Sequence, residues 1–176
     1  NNHISRHDLR YLRLLHYDIQ GNILRGEMVC NKAIAHDLVE IFRTLFESRY
    51  PIERMQLIDD YAANDELSMS HNNTSCFCYR PVAGLRTLSR HSYGMAVDIN
   101  PFYNPCVKIR KGKRIVQPAS AIKWADRTKS SRYTLSPNDL CYRLFIKHGF
   151  RWGGAWRTTK DYQHFEKVVD NTTAWD

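Results

Sequence analysis

Long apolar runs are missing from this 176-residue chain. No stretch reaches the roughly eighteen apolar residues that a membrane-spanning helix needs. There is no His-Glu-x-x-His segment, which excludes the helix of the common zinc proteases. There is no Cys-x-x-Cys pair, which argues against a thiolate zinc site. Internal repeats, low-complexity tracts and Pro/Gly-rich linkers are also absent. The expectation is therefore one domain over residues 1–176, with the N-terminal 20 or so residues as a flanking extension. The opening "NNHISRHDLRYL" has neither an initiator Met nor an apolar signal core. A processed or trimmed form, or a protein that never carried a signal, is expected.

Cysteines are few and odd in number: Cys30, Cys76, Cys78, Cys106 and Cys141. At least one must stay a thiol or pair between chains. Cys76 and Cys78 would share one strand face and could not readily bridge each other. Most are expected to be buried small hydrophobes, with one disulfide from the 76/78 pair to a distant Cys left open.

Acidic residues are scarce in one region. Between Lys108 and Arg132 lie nine Lys or Arg against a single acid, Asp126, in a chain of net charge +8. Such a segment attracts nucleic acid, anionic lipid or an anionic polymer such as a bacterial wall, or is a solvated loop. Charge alone does not choose among these.

What is present has clear periodicity. In "NKAIAHDLVEIFRTLFESRYP", Leu38, Ile41, Phe42, Leu45 and Phe46 form a helical stripe, with Pro51 as its stop. A short strand is expected in "RMQLIDDY". The polar stretch that follows turns into an alternation in "CFCYRPVAG", with Phe77 and Tyr79 on one face and Cys76, Cys78 and Arg80 on the other. Residues 93–100 read as a strand, and the basic segment reads as a loop or excursion. "SPNDLCYRLFIKHGF" is expected to be a helix with Ser136 as N-cap, Pro137 at N1, Asp139 at N3 and Gly149 as its end. These elements predict an α+β fold with a small, mostly antiparallel sheet.

Chemistry concentrates in two segments. In "SRHSYGMAVDIN", Met95, Val97 and Ile99 fall on one side of the strand and Asp98 opposite them. A desolvated carboxylate needs a partner. His91 must sit in the turn before the strand, where Gly94 permits a sharp bend, so that both side chains can converge. In "DYQHFE", Asp161 and His164 can meet at one site on a helical turn or through a bend into a strand. Two imidazoles and one carboxylate suit zinc and leave a position for water, with Asp161 as a separate base. An oxyanion would also need a cation, for which Arg80 is the candidate. The rival readings are a turn histidine with a capped aspartate, and a satisfied histidine beside an aromatic core.

The first segment resembles the S-x-H-x-x-G-x-A-x-D motif of the zinc D-alanyl-D-alanine carboxypeptidase family. That family includes vancomycin-resistance dipeptidases and phage L-alanyl-D-glutamate endopeptidases. "DYQHFE" resembles its second motif, [E/D]-x-x-H, while "NNTSCFCYR" and "GFRWGGAW" are similar to its flanking segments. The resemblance runs from about residue 20 to 168. It implies a small α+β domain with a central antiparallel sheet flanked by helices and a zinc cleft. It further implies one zinc ion held by His91, Asp98 and His164, with Asp161 as general base. Arg80 would polarise the scissile carbonyl, and Ser89 would hydrogen-bond substrate. The implied activity is hydrolysis of peptidoglycan stem peptides, outside the cytoplasm (periplasm or cell envelope) or as a phage lysin, by a monomer. Asp161 replaces the Glu usual in the dipeptidases, which leans toward cleavage within a stem peptide. An anionic wall would make sense of residues 108–132.

Two other classes stand beside this one. Hedgehog signalling domains and inactive relatives share a His, Asp, His arrangement and bind without cutting. Their discriminating lack is the full catalytic set, and here both Arg80 and Asp161 are present. A nucleic-acid-binding domain would rest on charge alone, since Trp124 and Tyr133 are too sparse for a stacking platform; no nucleic-acid partner is expected. His71 could line the cleft, Trp152 is assigned to the core, and Trp156 could wall the groove or pack.

Overall fold

A computed structural model describes residues 4–80 and 87–168. Strands β1 (Leu9–Tyr17) and β2 (Ile23–Asn31) form an antiparallel hairpin, from which the chain passes directly into helix α1 (Lys32–Glu47). A short helix α2 (Asp65–Ser70) follows, then strands β3 (Ala96–Asp98), β4 (Cys106–Arg110) and β5 (Lys113–Gln117). Helix α3 (Leu140–Lys147) precedes β6 (Arg151–Trp152), β7 (Lys160–Asp161) and β8 (His164–Glu166). The strands make three antiparallel sheets, ordered β1-β2, β3-β8-β6 and β5-β4-β7. The fold is thus the α+β domain with antiparallel sheets and flanking helices that the element pattern predicts.

The core explains why the helices form. Ile34, Leu38, Ile41, Phe42 and Leu45 of α1 are all buried, and Phe46 stacks on Tyr17 of β1 with ring centroids 5.1 Å apart. Across from them Phe145 of α3 stacks on Phe165 of β8 at 4.4 Å. Leu14, from β1, joins the same apolar cluster, as do Cys30, Cys76 and Cys141. All five cysteines are buried free thiols. Burial pushes the Cys30 thiol up to about 12, so it packs as an uncharged small hydrophobe.

Several local expectations are corrected. Helix α1 ends at Glu47, ahead of Pro51, with Arg49 at a left-handed φ of 52°. The strand expected in residues 54–61 is instead a bridge at Arg54 and a 3-10 turn, Ile58–Tyr61. Helix α2, capped by the Asn64 side chain, falls where a turn-rich stretch was expected. Regular strand between residues 93 and 100 is confined to Ala96–Asp98. The basic segment begins as the β4–β5 hairpin rather than a loop. The cap of α3 is Asp139, whose carboxylate accepts the Tyr142 N–H, because the chain turns once more after Ser136. The alternation at residues 76–80 holds inward for Cys76 and Cys78, while Tyr79 is exposed. Its expected continuation over residues 81–84 lies outside the described residues.

Candidate metal centre and active site

Two sheets meet at the second histidine motif. Asp161 ends β7 of one sheet and His164 begins β8 of the other, so the bend at Tyr162 and Gln163 carries the chain between them. The pair is therefore joined by a bend into a strand and not by a helical turn. Gly153 makes this crossing possible. A Cβ there would lie 2.6 Å from the Asp161 carbonyl oxygen and 3.2 Å from the His164 Cβ.

His91 stands in a 3-10 turn, Arg90–Tyr93, capped by Ser89, whose Oγ accepts the His91 N–H at 3.3 Å. Gly94 closes the turn at a φ of 66°, and a Cβ at this position would meet the Asn31 nitrogen at 2.6 Å. Asn31 both caps α1 and donates its side-chain amide to the Tyr93 carbonyl at 3.0 Å. The helix start and the histidine turn are thus one unit. Asp98 ends β3 directly opposite His164 of β8, and its backbone also bridges Ser75.

The side chains converge. Asp98 Oδ2 lies 3.1 Å from His91 Nε2, and Asp98 Oδ1 lies 3.3 Å from His164 Nδ1. One ligand atom from each of His91, Asp98 and His164 falls within 4.8 Å of the others, and all three residues are buried. The outer ring nitrogens are already committed. His91 Nδ1 donates to the Cys76 carbonyl at 2.6 Å, since a carbonyl only accepts, and His164 Nε2 donates to Glu166 Oε1 at 3.0 Å. In the neutral rings the inner nitrogens then present lone pairs toward the Asp98 carboxylate. His91 Nε2 and Asp98 Oδ1 have no hydrogen-bond partner among the described residues. Lone pairs and a carboxylate facing each other in a buried space are reconciled either by a proton on a ring nitrogen or by a cation between them, and the donor set fits a divalent metal with two nitrogen ligands and one oxygen ligand. The cluster is able to coordinate a metal.

Electrostatics agree with that demand. Burial penalises the charge of Asp98, yet the adjacent His91 and His164 hold its carboxyl well below the usual range. Burial likewise opposes protonation of His164, but Asp98, Glu166 and Asp161 raise its pKa to about 10 without a metal. Asp161 stands apart from the triad, its Oδ2 4.0 Å from His164 Nδ1. Burial, aided by the like charge of Asp98, lifts it to about 6 against the cations around it. Its Oδ1 is buried without a hydrogen-bond partner among the described residues. A carboxylate whose pKa is raised toward neutrality is a competent proton acceptor when ionised.

A cleft of ≈ 710 Å³ opens on these groups, with His91, Asp161 and His164 at its floor and Trp156 and Lys108 on its walls. Arg80 also lines it. The guanidinium is held by Asp65 of α2, with Nη2 3.4 Å from Oδ2, and its Nε is buried with no partner among the described residues. Its backbone N–H donates to Ser92 Oγ at 2.8 Å, and its carbonyl accepts from Ser92 Oγ at 2.7 Å. These bonds tie Arg80 to the turn that carries His91. All six residues expected at the site, Arg80, Ser89, His91, Asp98, Asp161 and His164, therefore come together.

Other expectations resolve individually. His71 is exposed, bonded through Nδ1 to the Leu67 carbonyl, and is not among the residues lining the cleft. Trp152 packs in the core and donates to the Tyr162 carbonyl, whereas Trp156 lies in the cleft with its ring 5.2 Å from His164. Sequence reasoning missed Asp65 and Glu166. Glu166 was legible in principle, because residues two apart on a strand share a face. Asp65 had no such signal, being fifteen positions before Arg80 on a helix that was not expected.

Residues 83–167 match the family model of D-alanyl-D-alanine carboxypeptidase. The matched segment holds His91, Asp98, Asp161 and His164, and Arg80 lies just ahead of it. The resemblance read from the two histidine motifs is thereby shown for this part of the chain. No solved structure matches the chain.

Proposed function

We propose that this protein is a zinc-dependent peptidase that hydrolyses peptide bonds in the stem peptides of bacterial peptidoglycan, one zinc ion being held by His91, Asp98 and His164. The observation that carries the reading is the buried cluster of two imidazoles and a carboxylate with a separate carboxylate, Asp161, beside it in the same cleft. When bound, zinc supplies a water acidified to a pKa of about 7 and a positive charge for the scissile carbonyl.

The chain's own residues supply the rest. Asp161 accepts the proton of the attacking water and returns it to the amine that leaves, a role suited to its buried Oδ1 and its pKa of about 6. Arg80, steadied by Asp65 and lining the cleft, offers its guanidinium to the oxyanion that develops on the carbonyl. Ser89 holds the His91 turn and borders the cleft, where it would hydrogen-bond substrate. Glu166 and the Cys76 carbonyl fix the tautomers and orientations of the ligand histidines. The shorter Asp side chain favours a cut within the stem peptide.

The presence of both Arg80 and Asp161 in the cleft favours an enzyme over a zinc-binding module that only holds the wall. Action on a bacterial wall places the protein outside the cytoplasm or in a phage lysin. The positively charged segment 108–132 would hold it on an anionic polymer. Among the described residues, no helix is long and apolar enough to cross a membrane.

The test is digestion of purified peptidoglycan with and without a chelator, followed by zinc restoration, with products read by mass spectrometry. Zinc-dependent release is expected, and fragment masses identify the bond. No release from a protein carrying one zinc per chain would overturn the reading in favour of a binding module.

A further inference from the structure

Among the described residues, the β5-β4-β7 sheet is incomplete on the side that faces the cleft. β4 pairs along its whole length with β5, but with β7 only at Cys106 and Val107, opposite Asp161 and Lys160. Beyond Val107 the chain preceding β7 leaves β4, and Thr158 and Thr159 become cleft wall. The edge of β4 from Lys108 to Arg110 thus borders the groove beside Asp161. Alternation along the strand puts Cys106, Lys108 and Arg110 on one face, and all three line the cleft.

Charge on this wall has one sign. The β4–β5 hairpin carries Lys108, Arg110, Lys111, Lys113 and Arg114 and no acidic residue. The cleft cations nearer the metal cluster are engaged, Arg80 with Asp65 at 3.4 Å and Arg90 with Glu166 at 3.8 Å. Lys108 forms no ion pair among the described residues and is half-buried at the groove.

From this juxtaposition we infer that the β4 edge is a specificity wall for acidic peptides, with Lys108 and then Arg110 receiving carboxylates of a substrate that lies extended along the strand. Strand geometry sets the spacing. Residues two apart on a strand are about 7 Å apart, so Lys108 stands about 7 Å and Arg110 about 14 Å along the strand from the level of Asp161. An extended peptide crossing the site matches these steps with side groups on alternate residues, and its backbone can hydrogen-bond the open edge as an added strand. The inference rests on the peptidase reading for its substrate class and names what that substrate must carry: a free carboxylate within about two to four residues of the scissile bond.

The test compares three forms of a peptidoglycan stem pentapeptide: carboxylates free, amidated at the D-glutamate carboxyl, and amidated at the C-terminus. For each, kcat/KM of the zinc-loaded protein is measured, and binding is followed separately by the anisotropy of a fluorescent label. One amidation is expected to weaken binding and raise KM by about fivefold, a gap that shrinks at high salt. Lys108→Ala is expected to collapse that ratio and Lys108→Glu to invert it. Lys111→Ala, at the hairpin tip and not among the cleft-lining residues, should retain it. Equal binding and cleavage of all three peptides would overturn the inference while leaving the peptidase intact. Selective binding with no cleavage of any peptide would support the wall and overturn the peptidase reading instead.

Discussion

His164 of β8 and Asp98 of β3 are direct cross-strand partners, and their side chains meet at 3.3 Å. The cluster is therefore built on a paired register between two short strands. His91 approaches from the turn that precedes β3, and Asp161 from the neighbouring sheet. Two of the three candidate ligands are thus fixed by backbone pairing and the third by a capped turn, while the proposed base enters on a separate strand. That separation allows the two roles to be tested apart.

Replacement of His91, Asp98 or His164 by Ala is expected to abolish bound zinc, measured by metal analysis of the purified protein. Asp161→Ala should keep one zinc per chain and lose roughly 10²- to 10⁴-fold or more in turnover. A metal-free Asp161→Ala protein would show that base and ligand had been confused.

Glu166→Gln removes a carboxylate that accepts from His164 Nε2 at 3.0 Å while leaving all three ligands in place. Zinc affinity should fall by about 10- to 100-fold, with occupancy restored by excess metal. Unchanged affinity in a competition titration with a chelating dye would remove Glu166 from the orienting role.

Gly153→Ala places a methyl group 2.6 Å from the Asp161 carbonyl oxygen. The backbone contact cannot yield as a flexible side chain would, so a loss of about 1–3 kcal/mol is expected in urea unfolding. Activity should fall further than stability, since the displaced strand carries Asp161. A fully stable and active variant would contradict the close packing.

The acid limb of stability should report Asp37. Burial disfavours its charge, but hydrogen bonds from Lys167 at 2.9 Å and His148 at 3.0 Å prevail and hold its pKa below the ordinary 3.8. A carboxylate depressed on folding contributes stability above its unfolded pKa and loses it as pH falls through the folded value. Asp37→Asn is therefore expected to be less stable than the parent at pH 7, with the difference shrinking as pH falls below about 3.8 and vanishing only below the still lower folded value. Chemical denaturation across pH 2–7 in the presence of chelator measures it. A gap independent of pH would assign the loss to packing.

Helix α1 was legible because burial on one side of a helix writes itself at a period of 3.6, and α3 because its end signals bracket it. The β4–β5 hairpin was not. Its exposed strand positions are mostly cations, which carry no apolar alternation, so it read as a loop. The helix cap moved from Ser136 to Asp139 because both residues suit the position, and local sequence does not rank them. Residues 54–61 have strand-like composition but no neighbouring edge to pair with over their length, and they turn instead.

At the site, residue type and local spacing were enough to name the cluster able to hold a metal. Histidine, glycine and aspartate at the intervals of residues 91–98, and aspartate and histidine at 161 and 164, carry their chemistry in the chain itself. Tertiary structure alone decided the remainder: that β3 lies in register with β8, that the 161–164 bend joins two sheets, that Asp65 grips Arg80 and that β4 leaves an open edge on the cleft. The physical reason is range. Ionisable side chains and turn glycines declare themselves over a few residues, whereas partners and edges arise only when segments distant in sequence are packed against one another.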